Sequence, residues 1–412
     1  MQYYYKFYYQ NRNLADAEYQ KRMNAPSVIV LPLEIQPMDQ TALFPLYYIP
    51  TNRMLEETSQ IYKNNYLINE IANVELPEVA SSCFIRESLI DEMQNTNDLE
   101  GVRSTHKELD VGLTSVEEKD SKSVRFKGMA KLYLKLLFED DISINIPEDI
   151  RKIYDELTSD EIQPSDLPDG KTFRKGPVAV NKLSGTGKKI HEGVLPEKKI
   201  YTLLDQAIKL LKDKSIPVFI QIAVFHYYFG YIHPFYDGNG RTSRFISNYL
   251  ISKEIGKFSA ISLSRGCNHY RTDYANLFEQ TNNVINKGEM NCFIEGFLDL
   301  MINGQEIVLL DLNEKQILLT QADAAIQNNE YLKQVDPIAS GLVFLLAQNY
   351  LFADDKGFSV SEIVKIYKES KKTLPEYRLR ILLKELVENG FFIARGKRPA
   401  QYHLSKKIMS IE

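Results

Sequence analysis

The sequence predicts a mainly α protein: a helical core that carries a β-hairpin, followed by a separate C-terminal module. Three observations predict it. Residues 120–305 place apolar residues at helical spacing almost throughout, and Val218–Phe229 (VFIQIAVFHYYF) is apolar on nearly all sides without Gly or Pro, as in a helix buried inside a domain. Val178 and Val180 alternate ahead of the Gly-rich Ser184-Gly185-Thr186-Gly187, and Ile190 and Val194 follow, which reads as a hairpin. Beyond Asp336-Pro337, three helical patterns precede two strand-like runs. A chain of 412 residues exceeds one ordinary core. We divide it into residues 1–110, a core at 111–305, a connecting helix at 306–335 and a module at 336–412.

In chain order, Pro-containing extended stretches occupy Val28–Pro45, and Thr51–Ala72 has helical spacing. Leu89, Ile90 and Met93 mark the buried stripe of a helix over Ser88–Thr96. An acidic, Pro-bearing loop near Asp160–Asp169 interrupts the core. Gly230 and Pro234 end the buried helix, and another begins near Gly240 and runs into Phe245–Ile251. Glu306–Leu332 keeps helical spacing with charge between the apolar positions. Helices follow at Ile338–Leu351, Ser359–Tyr367 and Pro375–Asn389, and strands at Phe391–Ala394 and Gln401–Leu404.

The chemistry concentrates in residues 233–244, His-Pro-Phe-Tyr-Asp-Gly-Asn-Gly-Arg-Thr-Ser-Arg. His233 titrates near neutrality and can accept a proton from an attacking hydroxyl. Asp237 is a hard oxygen ligand suited to a magnesium ion that keeps waters and bridges phosphates. Gly238, Asn239 and Gly240 let successive N–H groups face one point at the start of a helix, which makes an anion cradle. Arg241 and Arg244 add planar, permanently charged forks for phosphate oxygens. Phe235 plugs the loop into the core. Singly, each piece has a plain structural reading: a core histidine, a turn, a solvated arginine. In this order and ahead of an apolar helix they describe a site for a polyphosphate beside a base. His226, on the buried helix, reads as a satisfied core histidine.

This stretch resembles the signature loop of the Fic (filamentation induced by cAMP) family, His-Pro-Phe-x-Asp/Glu-Gly-Asn-Gly-Arg-x-x-Arg, and meets every specified position. The resemblance implies a Fic-type helical core with the motif on a helix–loop–helix. It also implies transfer of the AMP part of ATP to a Ser, Thr or Tyr hydroxyl of a target protein. His233 would be the base, and Asp237 would hold Mg²⁺. Gly238, Asn239, Gly240 and Arg241 would bind phosphates, and Arg244 would position the γ-phosphate. The segment from Phe173 to Val180 resembles the family's flap, so Val178 and Val180 would cover the nucleotide and line up the target as an added strand.

Thr96-Asn97-Asp98-Leu99-Glu100-Gly101 resembles the family's inhibitory motif, Ser/Thr-x-x-x-Glu-Gly/Asn. It implies that Glu100 pairs with Arg244 in place of the γ-phosphate and leaves the α-phosphate misaligned for in-line attack. Tyr274 stands at one position of a Tyr-Tyr pair found near the adenine in the family, with Asp273 at the other. Gly185-Thr186-Gly187-Lys188-Lys189 imitates the end of a P-loop, but its leading Gly and its Ser/Thr are missing.

The C-terminal pattern of three helices and a two-stranded basic wing, with Arg395-Gly396-Lys397-Arg398-Pro399 between the strands, resembles a winged helix-turn-helix domain. Residues 336–412 carry 13 Lys/Arg against 9 Asp/Glu, about +4, whereas the whole chain is −5. Arg378, Arg380 and Lys384 lie along the candidate recognition helix. Both DNA binding and protein docking or dimerisation suit such a module. Two other activities stay open for the core: removal of AMP, or transfer of another phosphate-containing group.

The overall acidic balance argues against a surface that coats nucleic acid. Cys83, Cys267 and Cys292 lie far apart without metal-site spacing, which points to a reducing compartment and no structural disulfides. No apolar run reaches membrane-spanning length, and the Tyr-rich N-terminus lacks the apolar core of a signal peptide. A cytoplasmic enzyme that uses ATP and Mg²⁺, needs no membrane, acts on a target protein, is open to self-modification and is compatible with a homodimer is the expectation.

Overall fold

The structure, a computed structural model, describes residues 2–405 apart from 121, 139, 160, 183–186, 372–373 and 397–398. Ser184, Gly185 and Thr186 of the Gly-rich turn, and Lys397 and Arg398 of the basic stretch, therefore lie outside the described residues. The chain is mainly helical and forms two compact units. One comprises Met1–Tyr66 with Leu89–Ile307, and the other Leu67–Ser88 with Val308–Glu412.

At the centre of the first unit is the helix Val218–Ile232. All its residues except Val218 and Gly230 are buried, because it is apolar around its whole circumference and must be surrounded. Helices Glu197–Leu210, Asn239–Ile255 and Arg271–Asn282 pack around it. Helices His106–Glu117, Lys127–Leu137 and Pro147–Leu157 add a layer. The first is opened by a capping box between Thr105 and Glu108, and the last has Pro147 at its first position.

Two hairpins complete this unit. Ile29–Ile35 pairs antiparallel with Phe44–Tyr48, and Leu31, Leu33 and Ile35 alternate inward. Ala179–Asn181 pairs with Lys189–Glu192, with Val180 opposite His191. The N-terminal residues also fold: helices Tyr4–Gln10 and Ala15–Met23 are held by the buried Glu289, which accepts from the Tyr4 amide at 2.6 Å and pairs with Arg22. Composition gave no sign of these two helices.

In the second unit, helix Pro337–Phe352 begins at Asp336, whose carboxylate accepts from the Ile338 amide at 3.0 Å. Helices Val360–Glu369 and Glu376–Glu388 follow, then an antiparallel pair, Phe392–Arg395 with Gln401–Leu404. The residues from Glu306 onward form the later part of one helix, Asn291–Asn328, followed by the short Glu330–Gln334. Among the described residues no helix is long and apolar enough to cross a membrane.

Candidate active site

The loop between Val218–Ile232 and Asn239–Ile255 turns at His233, which caps the first helix in a left-handed conformation (φ 52°, ψ 64°). That conformation costs a non-glycine residue roughly 1–2 kcal/mol, so the surroundings must hold it. Arg174, with no exposed surface, does so: Nε donates to His233 O at 2.8 Å, Nη1 to Gly176 O at 2.7 Å and Nη2 to Val194 O at 3.0 Å. One guanidinium thus binds the loop, the start of the flap segment and the end of the hairpin. Phe235 is fully buried and stacks on Tyr154 at 3.7 Å between ring centres. Tyr236 OH accepts from the Gly176 amide at 2.7 Å and donates to Asp169 at 2.9 Å.

The second half of the loop opens a helix. Gly238 is its N-cap at φ 76°, ψ 8°, a conformation that glycine adopts without the Cβ penalty. The amides of Asn239, Gly240 and Arg241 have no partner one turn back, so they present N–H groups and the positive end of the helix dipole together. The Asn239 side chain faces inward, accepting from Phe235 N at 2.9 Å and donating to Phe235 O at 2.8 Å. Only its backbone is available to a ligand. Asp237 is half exposed and accepts from the Gly238 amide at 2.6 Å.

The two arginines are buried, each at 1 % exposure, and each meets a carboxylate. Arg244 Nη2 donates to Glu100 Oε1 at 2.8 Å and to Thr96 O at 3.0 Å, and Nε donates to Thr96 Oγ1 at 2.8 Å. Glu100 comes just after helix Glu78–Leu99, and its carboxylate lies over Gly240, where any side chain would overlap it. Arg241 Nη1 donates to Glu161 Oε2 at 2.6 Å.

Behind Arg244, the Tyr274 hydroxyl lies 3.5 Å from Nη1 and 2.8 Å from His226 Nε2, while His226 Nδ1 meets Ser247 Oγ at 2.9 Å. Both ring nitrogens of His226 are therefore satisfied. Glu92, fully buried, accepts from Asn248 Nδ2 at 2.5 Å and from the Ser264 amide at 2.9 Å.

The electrostatics follow from this packing. Desolvation first, then the neighbouring His191 and Arg174, lower the His233 pKa to about 4, so its ring is neutral at pH 7. Desolvation lowers Arg174 to about 10. Burial alone would raise the Glu100 pKa, but the charge and hydrogen bond of Arg244 outweigh it and hold the carboxyl below its ordinary value.

A basic, dipole-lined cradle beside a neutral histidine is the geometry on which the family comparison bears. Residues 143–251 match the Fic/DOC family. These residues form a Fic domain.

The fold is also found in a solved structure. A Fic family protein from Desulfovibrio desulfuricans G20 superposes with a TM-score of 0.51 at 15% identity, over 87% of this chain and 97% of that one. Residues 134–508 of Fic-1 from C. elegans align with a TM-score of 0.42 at 18% identity, over 63% of this chain and 72% of that one. A Fic domain containing signaling protein from Bacteroides thetaiotaomicron VPI-5482 aligns with a TM-score of 0.41 at 16% identity, over 64% of this chain and 97% of that one. The Fic family includes AMPylases and related transferases that use nucleotide and Mg²⁺.

Within the Fic domain lie Val178, Val180, His233, Asp237, Gly238, Asn239, Gly240, Arg241 and Arg244, while Glu100 and Tyr274 lie outside the matched range. Val178, just before the first strand of the hairpin, and Val180, within it, are partly buried, and Gly193 N donates to Val178 O at 3.0 Å. The donor set can be tested against a metal. Asp237 offers a single half-exposed carboxylate, and the described residues contain no group of three His, Cys, Asp or Glu that could hold an ion. That fits a magnesium ion bound by one carboxylate, phosphates and water, and does not fit an all-protein cage.

The sequence reading missed Arg174, Glu161, Glu92, Tyr236 and His191. The last is buried on the hairpin, with Nε2 donating to Tyr231 O at 2.6 Å. Their partners lie 40 to 172 residues away, and no local spacing announces such pairs.

Proposed function

We propose that the protein is a self-inhibited adenylyltransferase that moves AMP from ATP to a Ser, Thr or Tyr hydroxyl of a target protein. The observation that carries this reading is the pairing of Glu100 with Arg244 above Gly240, beside the amides of Asn239–Arg241 and close enough to His233 for its charge to act on that ring. A carboxylate in an anion cradle competes with a phosphate for the same donors.

In the reaction, His233 takes the proton from the target hydroxyl, and the freed oxygen attacks the α-phosphorus. A new P–O bond forms, the bond to the bridging β-oxygen breaks, and pyrophosphate leaves with that electron pair. The Asn239, Gly240 and Arg241 amides and the Arg241 side chain offset charge on the phosphates. Once Glu100 withdraws, Arg244 holds the γ-phosphate. Asp237 would hold Mg²⁺, which when bound neutralises charge across the α- and β-phosphates. Val178 and Val180 present the target as an added strand, and Tyr274 supports Arg244 from behind.

Phosphate charge around His233 opposes the burial and the Arg174 charge that lower its pKa. Bound nucleotide therefore makes the ring a better proton acceptor than it is in the resting protein. The reverse reaction, removal of AMP by a water that Glu100 would orient, is the second reading.

The test is incubation with α-labelled ATP and Mg²⁺ of wild type, Glu100→Gly, and Glu100→Gly with His233→Ala. Transfer requires strong labelling in the single variant alone. Under the second reading, Glu100→Gly instead abolishes removal of AMP from a labelled target.

A further inference from the structure

Arg241 is a residue of the phosphate loop, yet its closest ion-pair partner comes from outside that loop. Glu161 follows helix Pro147–Leu157, and its amide donates to Thr158 O at 3.0 Å. Its carboxylate, 5 % exposed, meets Arg241 Nη1 at 2.6 Å. The other edge of the same guanidinium points back into the loop: Nη2 is 3.8 Å from Asp237 Oδ2 and 3.7 Å from where a Cβ on Gly238 would lie. Glu161 therefore occupies one edge of the fork and leaves the edge beside Asp237 and the helix opening.

The second Glu161 oxygen is equally informative. Oε1 is buried without a hydrogen bond and lies 3.3 Å from Arg125 Nε. Arg125 in turn donates through Nη2 to Arg103 O at 2.8 Å and through Nη1 to Glu108 at 3.0 Å. Arg103 is three residues past Glu100. A chain of contacts thus runs from Arg241 through Glu161 and Arg125 to the segment that carries the inhibitory carboxylate.

Burying such a pair is a poor way to gain stability, since desolvation cancels most of the attraction. It is an effective way to fix a guanidinium, whose long side chain otherwise samples several rotamers. Burial raises the Glu161 pKa against the opposing effect of the Arg241 and Arg125 charges, so the carboxylate is costly to bury at this place.

We propose that Glu161 is a positioning residue for Arg241: it holds Nη1 so that Nη2 faces the phosphates of a nucleotide, and Arg125 ties that position to the Glu100 segment. The proposal rests on the reading of the loop as a nucleotide site. Glu161 touches no phosphate itself.

The test uses the full chain in the Glu100→Gly background, with ATP affinity measured by calorimetry in the presence of Mg²⁺. Glu161→Gln keeps the side-chain shape, and removing its charge should weaken ATP binding about tenfold. Arg241→Ala should weaken it at least as much. The double variant should be no weaker than Arg241→Ala alone, because Glu161 acts only through that guanidinium. Arg125→Met should move affinity in the same direction by less.

A merely structural role would lower the melting temperature and leave ATP affinity unchanged, or give additive losses in the double variant; either result overturns the proposal. Tighter binding by Glu161→Gln would also overturn it, since Glu161 would then be a competitor of phosphate. Labelling from α-labelled ATP in the same proteins tests the transfer reading separately. Absence of labelling with the affinity pattern intact overturns transfer and supports positioning. No ATP binding by Glu100→Gly itself overturns both.

Discussion

The carboxylate of Glu100 fills the space that a side chain on Gly240 would occupy, while bonding to Arg244 Nη2 at 2.8 Å. On the proposed reading a phosphate would take the place of this intramolecular carboxylate, and it could approach so closely because residue 240 ends at its Cα.

Gly240→Ala follows from that relationship. The glycine sits in the first turn of a helix with ordinary backbone angles, so the helix itself accepts alanine, but in the wild type the new Cβ meets the Glu100 carboxylate and should lower the melting temperature by displacing it. Its methyl group would overlap Glu100 and anything that replaces it. In the Glu100→Gly background, ATP affinity should fall more than about tenfold, read by calorimetry. Affinity equal to that of the parent would show that phosphate does not approach this turn.

Glu92 anchors the helix that leads to Glu100, because its carboxylate receives both Asn248 and the Ser264 amide. Glu92→Ala leaves those donors buried and unpaired, a cost of about 1–3 kcal/mol each. We expect a lower melting temperature together with increased labelling from α-labelled ATP, since the helix carrying Thr96 loses its hold. A lower melting temperature without added labelling would mean that Thr96 and Arg244 suffice to hold Glu100.

The pH profile should report His233. Its pKa in the resting site is about 4, so kcat/KM, which reads the free enzyme, should stay flat from pH 8 to about 5 and fall toward pH 4. The kcat limb should lie at higher pH, because bound phosphate favours the imidazolium. Coincident limbs would mean that nucleotide does not act on this histidine.

His226 predicts a stability effect of definite sign. Desolvation, and then the Arg244 charge, lower its folded pKa to about 3 from an ordinary 6.5. Between those values the unfolded chain binds the extra proton. The contribution of the neutral ring is therefore complete above pH 6.5 and is lost as pH falls toward 3. Melting temperatures at pH 7, 5.5 and 4.5 should decline more steeply in wild type than in His226→Gln. Equal slopes would assign acid lability elsewhere.

The cations that the sequence places along the candidate recognition helix are already paired. Arg378 meets Asp336, Arg380 meets Glu376 at 2.7 Å, and Lys384 lies 3.7 Å from Glu388. Helix Glu376–Glu388 carries three cations and three carboxylates, with Tyr377 and Ile381 exposed between them. A face without net charge releases few counterions. Fluorescence anisotropy should find the full chain binding duplex DNA no tighter than about 1 µM at physiological salt. A nanomolar, sequence-specific complex would overturn this and favour a DNA-binding regulator that acts through residues 336–412.

The two kinds of site residue differed sharply in how far the sequence revealed them. His233 to Arg244 could be read because a turn, a base and two cations fall within twelve residues, where local rules apply. Val218–Phe229 could be read as buried because it has no polar face. Arg174 and Glu161 could not, since an arginine or glutamate in a polar loop is ordinarily solvated, and only the folded chain brings a buried partner to it. The inward turn of the Tyr274 hydroxyl onto His226 and Arg244 was hidden for the same reason.

The Asn239 side chain closes a ring onto the amide and carbonyl of Phe235, so the bend between the two helices is set by bonds that neither begin nor end on a ligand. On the proposed reading, a nucleotide arriving there would find its binding surface already shaped and would lose little affinity to ordering it. Control of such a site has nothing to gain from folding or unfolding the bend. On that reading it would work through occupancy, with one tethered anion at a high local concentration set against many free ones.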